Sequence, residues 1–305
     1  MSNDDQLKVR QTVSKKKSFK ELTIVRDIIF WIDLVGEGQN ENAIFARPFN
    51  EKEAFPQKLT SKKYNIKNNF HGYGGKSYKC IYLKNNFYLI WIDQITKAVW
   101  FQIFKEVASN YRSQKRYLDS VQEPRQLSKS IDGNFDSSFV ISQKNFLYGI
   151  CEINNRDYLF SLNLKKTKQD IYRIKKFKNF AGELSSNTSV SLLSWVEWDS
   201  PYMPWEKNDL CFAQIDLDGE ITKIKKFSDK LINAKKNVSF FQPYWISETL
   251  LVCSEDSSGW WNLLFLDASK IENIFIKKRV ERNFVEYGVP QWVSGITFFS
   301  GDIKD

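Results

Sequence analysis

The sequence predicts an all-β protein of the propeller type. Three observations carry that prediction: an unusual share of aromatic residues, a succession of short apolar runs separated by turn residues, and an internal period of about 47 residues. Of 305 residues, 10 are Trp, 13 Tyr and 24 Phe, against only 13 Gly and 7 Pro. Broad aromatic rings suit the pleated, half-covered surface of a strand better than the crowded surface of a helix. A hydrophobic share of 42% is enough to build a large core, which excludes a wholly disordered chain as well as collagen, coiled-coil and disulfide-scaffold classes.

The elements follow in order. Residues 1–20 are polar and basic, include Lys15-Lys16-Lys17 and show no periodicity, so they are expected to form an arm. Residues 21–305 are assigned to the propeller. Segments 28–32, 43–46, 78–82, 87–92, 99–104, 139–141, 146–151 and 157–162 have strand length and strand composition. Helical spacing competes only at 102–111 and 229–235. Pro243-Tyr244-Trp245 returns as Pro290-Gln291-Trp292 about 47 residues later, a spacing within the range of propeller blades. An earlier copy aligns 191–195 with 249–253 and 209–213 with 262–266. At that period the chain holds roughly six units, the last incomplete. Trp195, Trp245 and Trp292 are expected to be buried within or between blades.

Forty-five Lys and Arg against 36 Asp and Glu leave a net charge of +9. Along the chain the lysines accompany asparagines in turns such as Lys67-Asn68-Asn69, which reads as a solvated surface. No nucleic-acid and no membrane partner is expected. The opening residues lack the apolar core of a signal peptide, and no apolar run reaches the roughly 18 residues of a span, so a cytoplasmic location is expected. Cys80, Cys151, Cys211 and Cys253 each sit in an apolar run without a C-x-x-C spacing, which predicts four buried thiols.

Four segments stand out: His71-Gly72-Tyr73-Gly74-Gly75, the stretch 198–205 (WDSPYMPW), 259–263 (GWWNL) and 286–292 (EYGVPQW). Together, in this order and spacing, they resemble the N-terminal β-propeller of the prolyl oligopeptidase family, within it the bacterial branch of acylaminoacyl peptidases and dipeptidyl aminopeptidases. The resemblance covers nearly the whole chain after the arm. It implies a propeller of the seven-bladed type that caps an α/β-hydrolase domain and admits short peptides to it. That domain is missing from these residues, so the chain is expected to be truncated or split from it, with the domain supplied in cis or in trans. One position departs from the family pattern: Gly72 stands where a Glu is usual, which removes a carboxylate for a substrate amine or an interdomain cation.

Each segment also has a reading of its own. Gly74 and Gly75 permit a tight turn, and His71, the sole histidine, has no second His or Cys spaced for a metal, which favours a structural histidine. Pro201 and Pro204 stiffen an insertion that would offer Met203 and Trp205 to a second domain. Trp260 and Trp261, read as neighbours in a strand, would point to opposite faces. The candidate interdomain or substrate-facing residues are therefore His71, Tyr73, Gly74, Gly75, Met203, Trp205, Trp260 and Trp261.

No catalytic residue, metal or cofactor is assigned. The sequence has no Gly-x-Ser-x-Gly elbow, no histidine after His71, and no phosphate-loop or His-Glu-x-x-His signature. The pairs Glu197/Asp199 and Glu255/Asp256 would suit glycoside hydrolysis only if opposed across a funnel, and carboxylates at strand ends are commoner as turn residues. The expected role is a noncatalytic, substrate-gating propeller, inactive alone. The alternative is a freestanding propeller that recruits proteins through aromatic patches.

Overall fold

The computed structural model describes residues 19–35, 41–51, 54–108, 116–227 and 237–301. It is an all-β propeller in which five antiparallel sheets follow one another along the chain. The first holds β1 (Lys20–Val25), β2 (Ile28–Val35), β3 (Glu41–Pro48) and β4 (Gln57–Lys58). The second holds β5 (Tyr78–Leu83), β6 (Asn86–Asp93), β7 (Ala98–Ala108), β8 (Arg116–Ser120) and the short β9 (Arg125–Gln126). In the third, β10 (Gly133–Phe135) and β11 (Val140–Ile141) both pair with β12 (Phe146–Ile153), followed by β13 (Arg156–Asn163) and β14 (Tyr172–Lys176). The fourth is β15 (Phe180–Ser186), β16 (Leu192–Trp198), β17 (Asp209–Ile215) and β18 (Ile221–Lys226); the fifth is β19 (Phe240–Trp245), β20 (Leu250–Glu255), β21 (Asn262–Asp267) and β22 (Phe275–Val280).

The repeat read from the sequence holds at the level of strands. The segments aligned at 191–195 and 249–253 contribute to the second strands β16 and β20, and those at 209–213 and 262–266 to the third strands β17 and β21. First strands of successive sheets touch, β1 with β5, β11 with β15 and β15 with β19, so they line the axis and the fourth strands form the outer edge. The alternative helix at 102–111 is overturned over its described part, because residues 102–108 continue β7. The stretch 229–235 and residues 1–18 of the expected arm lie outside the described residues; Lys20 already opens β1. All four cysteines are buried and free, as predicted, and burial pushes their thiols up.

Apolar clusters occupy the gaps between sheets. Phe30 and Trp91 belong to the cluster between the first and second sheets, Phe101 and Phe160 to that between the second and third. Tyr148 and Trp195 fill the third-to-fourth gap, Phe212 and Trp245 the fourth-to-fifth. Trp195 is 0% and Trp245 8% exposed, in line with the sequence reading, but Trp292 is 52% exposed. Among the described residues the expected sixth unit forms no sheet. After β22 the chain runs back across the molecule, and its one bridge pairs Ser294 in parallel with Gly75 ahead of β5.

Polar ties join the axial strands. Glu21, Glu183 and Gln242 occupy β1, β15 and β19 at positive φ (53°, 59° and 53°), each inside a register shift of its strand. A side chain other than glycine pays about 1–2 kcal/mol for that conformation. Each spends the resulting direction on a neighbour. Glu21 accepts from the Ser77 N–H and hydroxyl, Glu183 from the Gln242 N–H (2.8 Å), and Gln242 binds the Phe298 N–H (2.6 Å) and the Phe299 carbonyl (2.5 Å). Between the third and fourth sheets Ser138 Oγ accepts from the Leu184 N–H (3.0 Å).

Two outcomes are expected. Trp245 fills the last apolar gap and donates its Nε1–H to buried Ser194 Oγ (2.9 Å), so Trp245→Ala costs about 3–5 kcal/mol in urea unfolding. A loss under about 0.5 kcal/mol would contradict that placement. Glu183 is pushed up from 4.5 to about 8, first by burial and further by Asp136, against the hydrogen bond from Gln242. The native state thus holds the proton more tightly than the unfolded chain, and stability falls as pH rises from 4.5 to about 8. Glu183→Gln keeps the acceptor and removes the charge. Its Tm should exceed that of the wild type above pH 8 and converge with it towards pH 4.5, whereas a constant offset would count against this assignment.

Candidate functional site

Between β4 and β5 the chain makes a short 3-10 turn, Phe70–Gly72, that places His71 at φ 51°. Asn68 pins the loop at both ends: its Oδ1 accepts from the Phe70 N–H (2.8 Å) and its Nδ2 donates to the Lys76 carbonyl (2.9 Å). The glycines are required here. Gly74 has φ 80° and a Cβ on it would lie 2.8 Å from the Asn68 carbonyl oxygen, while a Cβ on Gly75 would collide with the Ser294 backbone.

The loop directs His71 into the molecule. Its Nε2 donates to Asp157 Oδ2 (2.8 Å), and the Asp157 side chain is only 1% exposed. The same carboxylate accepts from the Ala181 N–H (2.7 Å) at the start of β15. Burial raises the Asp157 pKa, against the pull of His71 and of this N–H. The imidazole stacks on Phe70 (3.8 Å) and meets the edges of Phe180 (5.3 Å) and Trp198 (5.7 Å). His71 therefore clamps the second, third and fourth sheets together, which agrees with its structural reading.

A second wall comes from the insertion between β16 and β17, residues 199–208. Its turns are closed by the Met203 N–H on Glu206 Oε2 (2.8 Å) and by Asn208 Nδ2 on the Pro204 carbonyl (2.8 Å). Asn208 also exchanges two hydrogen bonds with the Phe240 backbone, tying the insertion to the fifth sheet. Tyr202 and Met203 are exposed, whereas Pro204 is buried and Trp205 half-buried. The third wall is the returning segment: Trp292 lies against Trp205 (4.3 Å between rings, 39° between planes) and near Tyr73 (5.8 Å). Ser294 fastens this segment through the Lys76 N–H to its carbonyl (3.1 Å), its own N–H to the Gly74 carbonyl (3.3 Å), and its hydroxyl to Asp136.

The three walls enclose an aromatic cleft of about 220 Å³. Of the residues singled out by sequence, His71, Tyr73, Gly74, Met203 and Trp205 line it, and Gly75 supports it from beside Ser294. Trp260 and Trp261 do not. They precede β21 instead of alternating within it, and pack on Phe284 (5.2 Å) and Phe241 (6.1 Å). Phe180, Gln291 and Trp292 are lining residues that the sequence reading missed. The repetition of Pro-x-Trp hid Trp292, since it suggested another buried blade position.

The chemistry on offer is recognition of apolar or aromatic groups. Ser294 gives its proton to Asp136 and His71 is engaged by Asp157; among the described residues no serine is hydrogen-bonded to the histidine. No group of three or more His, Cys, Asp or Glu that could hold a metal occurs among the described residues. In the two carboxylate pairs, Glu197, Asp199 and Glu255 are held by cations, and Asp256 accepts from the Ser239 N–H (2.7 Å). Burial would raise Glu197, but Lys226 and Lys175 (2.9 Å each) more than offset it, and buried Glu255 binds Arg279 (2.5 Å). Among the described residues no helix is long and apolar enough to cross a membrane.

No family model and no curated protein matches the sequence. Solved structures do. The chain is similar to a puromycin-hydrolysing peptidase of Mycobacterium tuberculosis (16% identity, TM-score 0.70, 92% of this chain and 41% of that one). A puromycin hydrolase gives 17% identity and TM-score 0.71 over 92% of this chain and 42% of the other. Prolyl oligopeptidase B from Galerina marginata gives 11% and 0.52 over 93% and 41%. The chain thus has the fold of the propeller portion of these peptidases and spans about two fifths of their length.

Two indole rings in close, non-parallel contact couple their transitions. Far-UV circular dichroism should contain an exciton contribution from this pair that is lost in both Trp205→Ala and Trp292→Ala and kept in Trp260→Ala. Because Trp91 and Trp100 form a second close pair (6.3 Å), the readout is the difference from wild type: Trp205→Ala and Trp292→Ala should remove the same couplet, and two unlike difference spectra would place Trp292 away from Trp205.

Proposed function

We propose that this propeller is the noncatalytic, substrate-gating part of a serine peptidase of the prolyl oligopeptidase type, acting on short peptides with an α/β-hydrolase domain in cis or in trans. One observation carries the reading. The segments around His71, Met203 and Trp292, which support the resemblance in sequence, converge on a single aromatic cleft although they lie more than a hundred residues apart from first to last. Such a cleft can hold an apolar peptide side chain or the surface of a capping domain, and among the described residues no serine pairs with His71 as a nucleophile with its base. The Met203 insertion, exposed and stiffened by two prolines, suits contact with a second domain.

The test is activity-based labelling. Material purified through a tag on this chain, from its own host, should contain a serine hydrolase that reacts with a fluorophosphonate, either as a longer form of the chain or as a separate polypeptide. The 305-residue chain alone should hydrolyse neither acyl-peptides nor dipeptide amides. Paired replacement Met203→Ala/Trp205→Ala should reduce recovery of a separate hydrolase, or raise KM for short peptides in a longer form. Labelling of a serine within residues 19–301, or no labelled hydrolase at all, would overturn the proposal.

A further inference from the structure

The positive charge of the chain has a location that only the fold reveals. The outer strands of the third, fourth and fifth sheets read YRIKK, ITKIKK and FIKKRV, nine basic residues and no acidic one. The net charge is +9, so basic and acidic residues balance over the rest of the chain. Because these strands lie about fifty residues apart in sequence, the lysines look scattered along the chain, which is why no nucleic-acid partner was expected from it.

The three strands form one belt. Lys175 of β14 and Lys226 of β18 share Glu197, and Lys223 and Lys225 of β18 reach Glu272 in the turn before β22. These carboxylates tie one sheet edge to the next. Lys176, Lys277 and Lys278 are exposed and make no ion pair among the described residues. Between the cations stand uncovered apolar side chains, Tyr172 (58% exposed) and Phe275 (44%), which open β14 and β22, and Ile224 (42%) in β18.

We propose that this outer belt binds single-stranded nucleic acid. Successive sheets fan around the axis, so the belt is curved; a flat anionic bilayer meets only part of it, while a flexible phosphodiester chain can follow it. Exposed aromatic rings among lysines are the combination that holds unpaired bases, by stacking on the rings while ammonium groups neutralise the phosphates. The binding is sequence-tolerant and salt-dependent, since it rests on charge and ring faces. Ribose and deoxyribose strands share this chemistry.

The test is fluorescence anisotropy of fluorescein-labelled oligouridylate and oligodeoxythymidylate with the whole chain. Saturable binding to at least one of them at low salt is expected, weakening steadily as salt rises. The variant Lys176→Glu/Lys277→Glu/Lys278→Glu should lose about tenfold or more in affinity. The control Lys62→Glu/Lys67→Glu/Lys144→Glu makes the same change in net charge at exposed sites elsewhere and should lose less than about threefold. Tyr172→Ala should weaken oligonucleotide binding and leave inorganic polyphosphate binding unchanged. Matching thermal melts of both triple variants and the wild type establish that the fold is intact. No saturable binding, equal losses in both triple variants, or tighter association with phosphatidylglycerol vesicles than with either oligonucleotide would overturn the proposal.

Discussion

A sheet of four strands has two faces, and in this chain both are rich in large apolar side chains, so no sheet can be stable without neighbours. The structure meets that requirement by stacking: four apolar clusters lie in the four gaps between five sheets. The largest fully buried rings, among them Trp91 and Trp195, sit in these gaps. The remaining structure is subordinate to this arrangement. Where a sheet has a neighbour on one side only, its outer face shows: Leu22 and Ile24 of the first sheet are 56% and 51% exposed. Among the described residues no hydrogen bond joins that sheet to the fifth.

Stacking leaves the axial strands with backbone groups that face neither water nor their own sheet. The bulges at Glu21, Glu183 and Gln242 turn that difficulty into a join, because the residue forced into left-handed geometry reaches the next strand's N–H. The last of these has no following sheet to reach. Gln242 instead holds the backbone of Phe298 and Phe299, so the returning segment takes the place that a next axial strand would occupy.

Much of this was legible in the sequence, because a strand with one face on a sheet neighbour writes its alternation directly into the chain. The copies at 191–195 and 249–253 were found in this way and are equivalent strands. Trp292 was misplaced because Pro-Gln-Trp repeats Pro-Tyr-Trp while the context does not: the chain beyond it is fastened by Ser294 against Gly75, a contact between residues far apart in sequence. In the sequence Trp260 and Trp261 read as strand residues, yet the turn at Gly259 (φ 88°) carries on through them and the ladder begins only at Asn262. The motifs of the cleft could be read one by one. Their convergence could not, since it depends on how far each sheet rotates against the one before, and no local pattern encodes that angle.

The returning segment alters the mechanical character of the stack. Five sheets joined only to their neighbours would behave as a one-dimensional array, in which an end unit can open without consequence for the units at the other end. Residues 291–299 prevent this by connecting the fifth sheet at Gln242 to the third at Asp136 and to the loop ahead of the second at Gly75. Because the same residues form one wall of the cleft, opening of the fifth sheet would withdraw Trp292 from Trp205 and leave the cleft without that side. Occupancy of the cleft and cohesion of the terminal sheet are then two readouts of one equilibrium, and a molecule held between Tyr73, Trp205 and Trp292 would act at a distance as a brace on the end of the array.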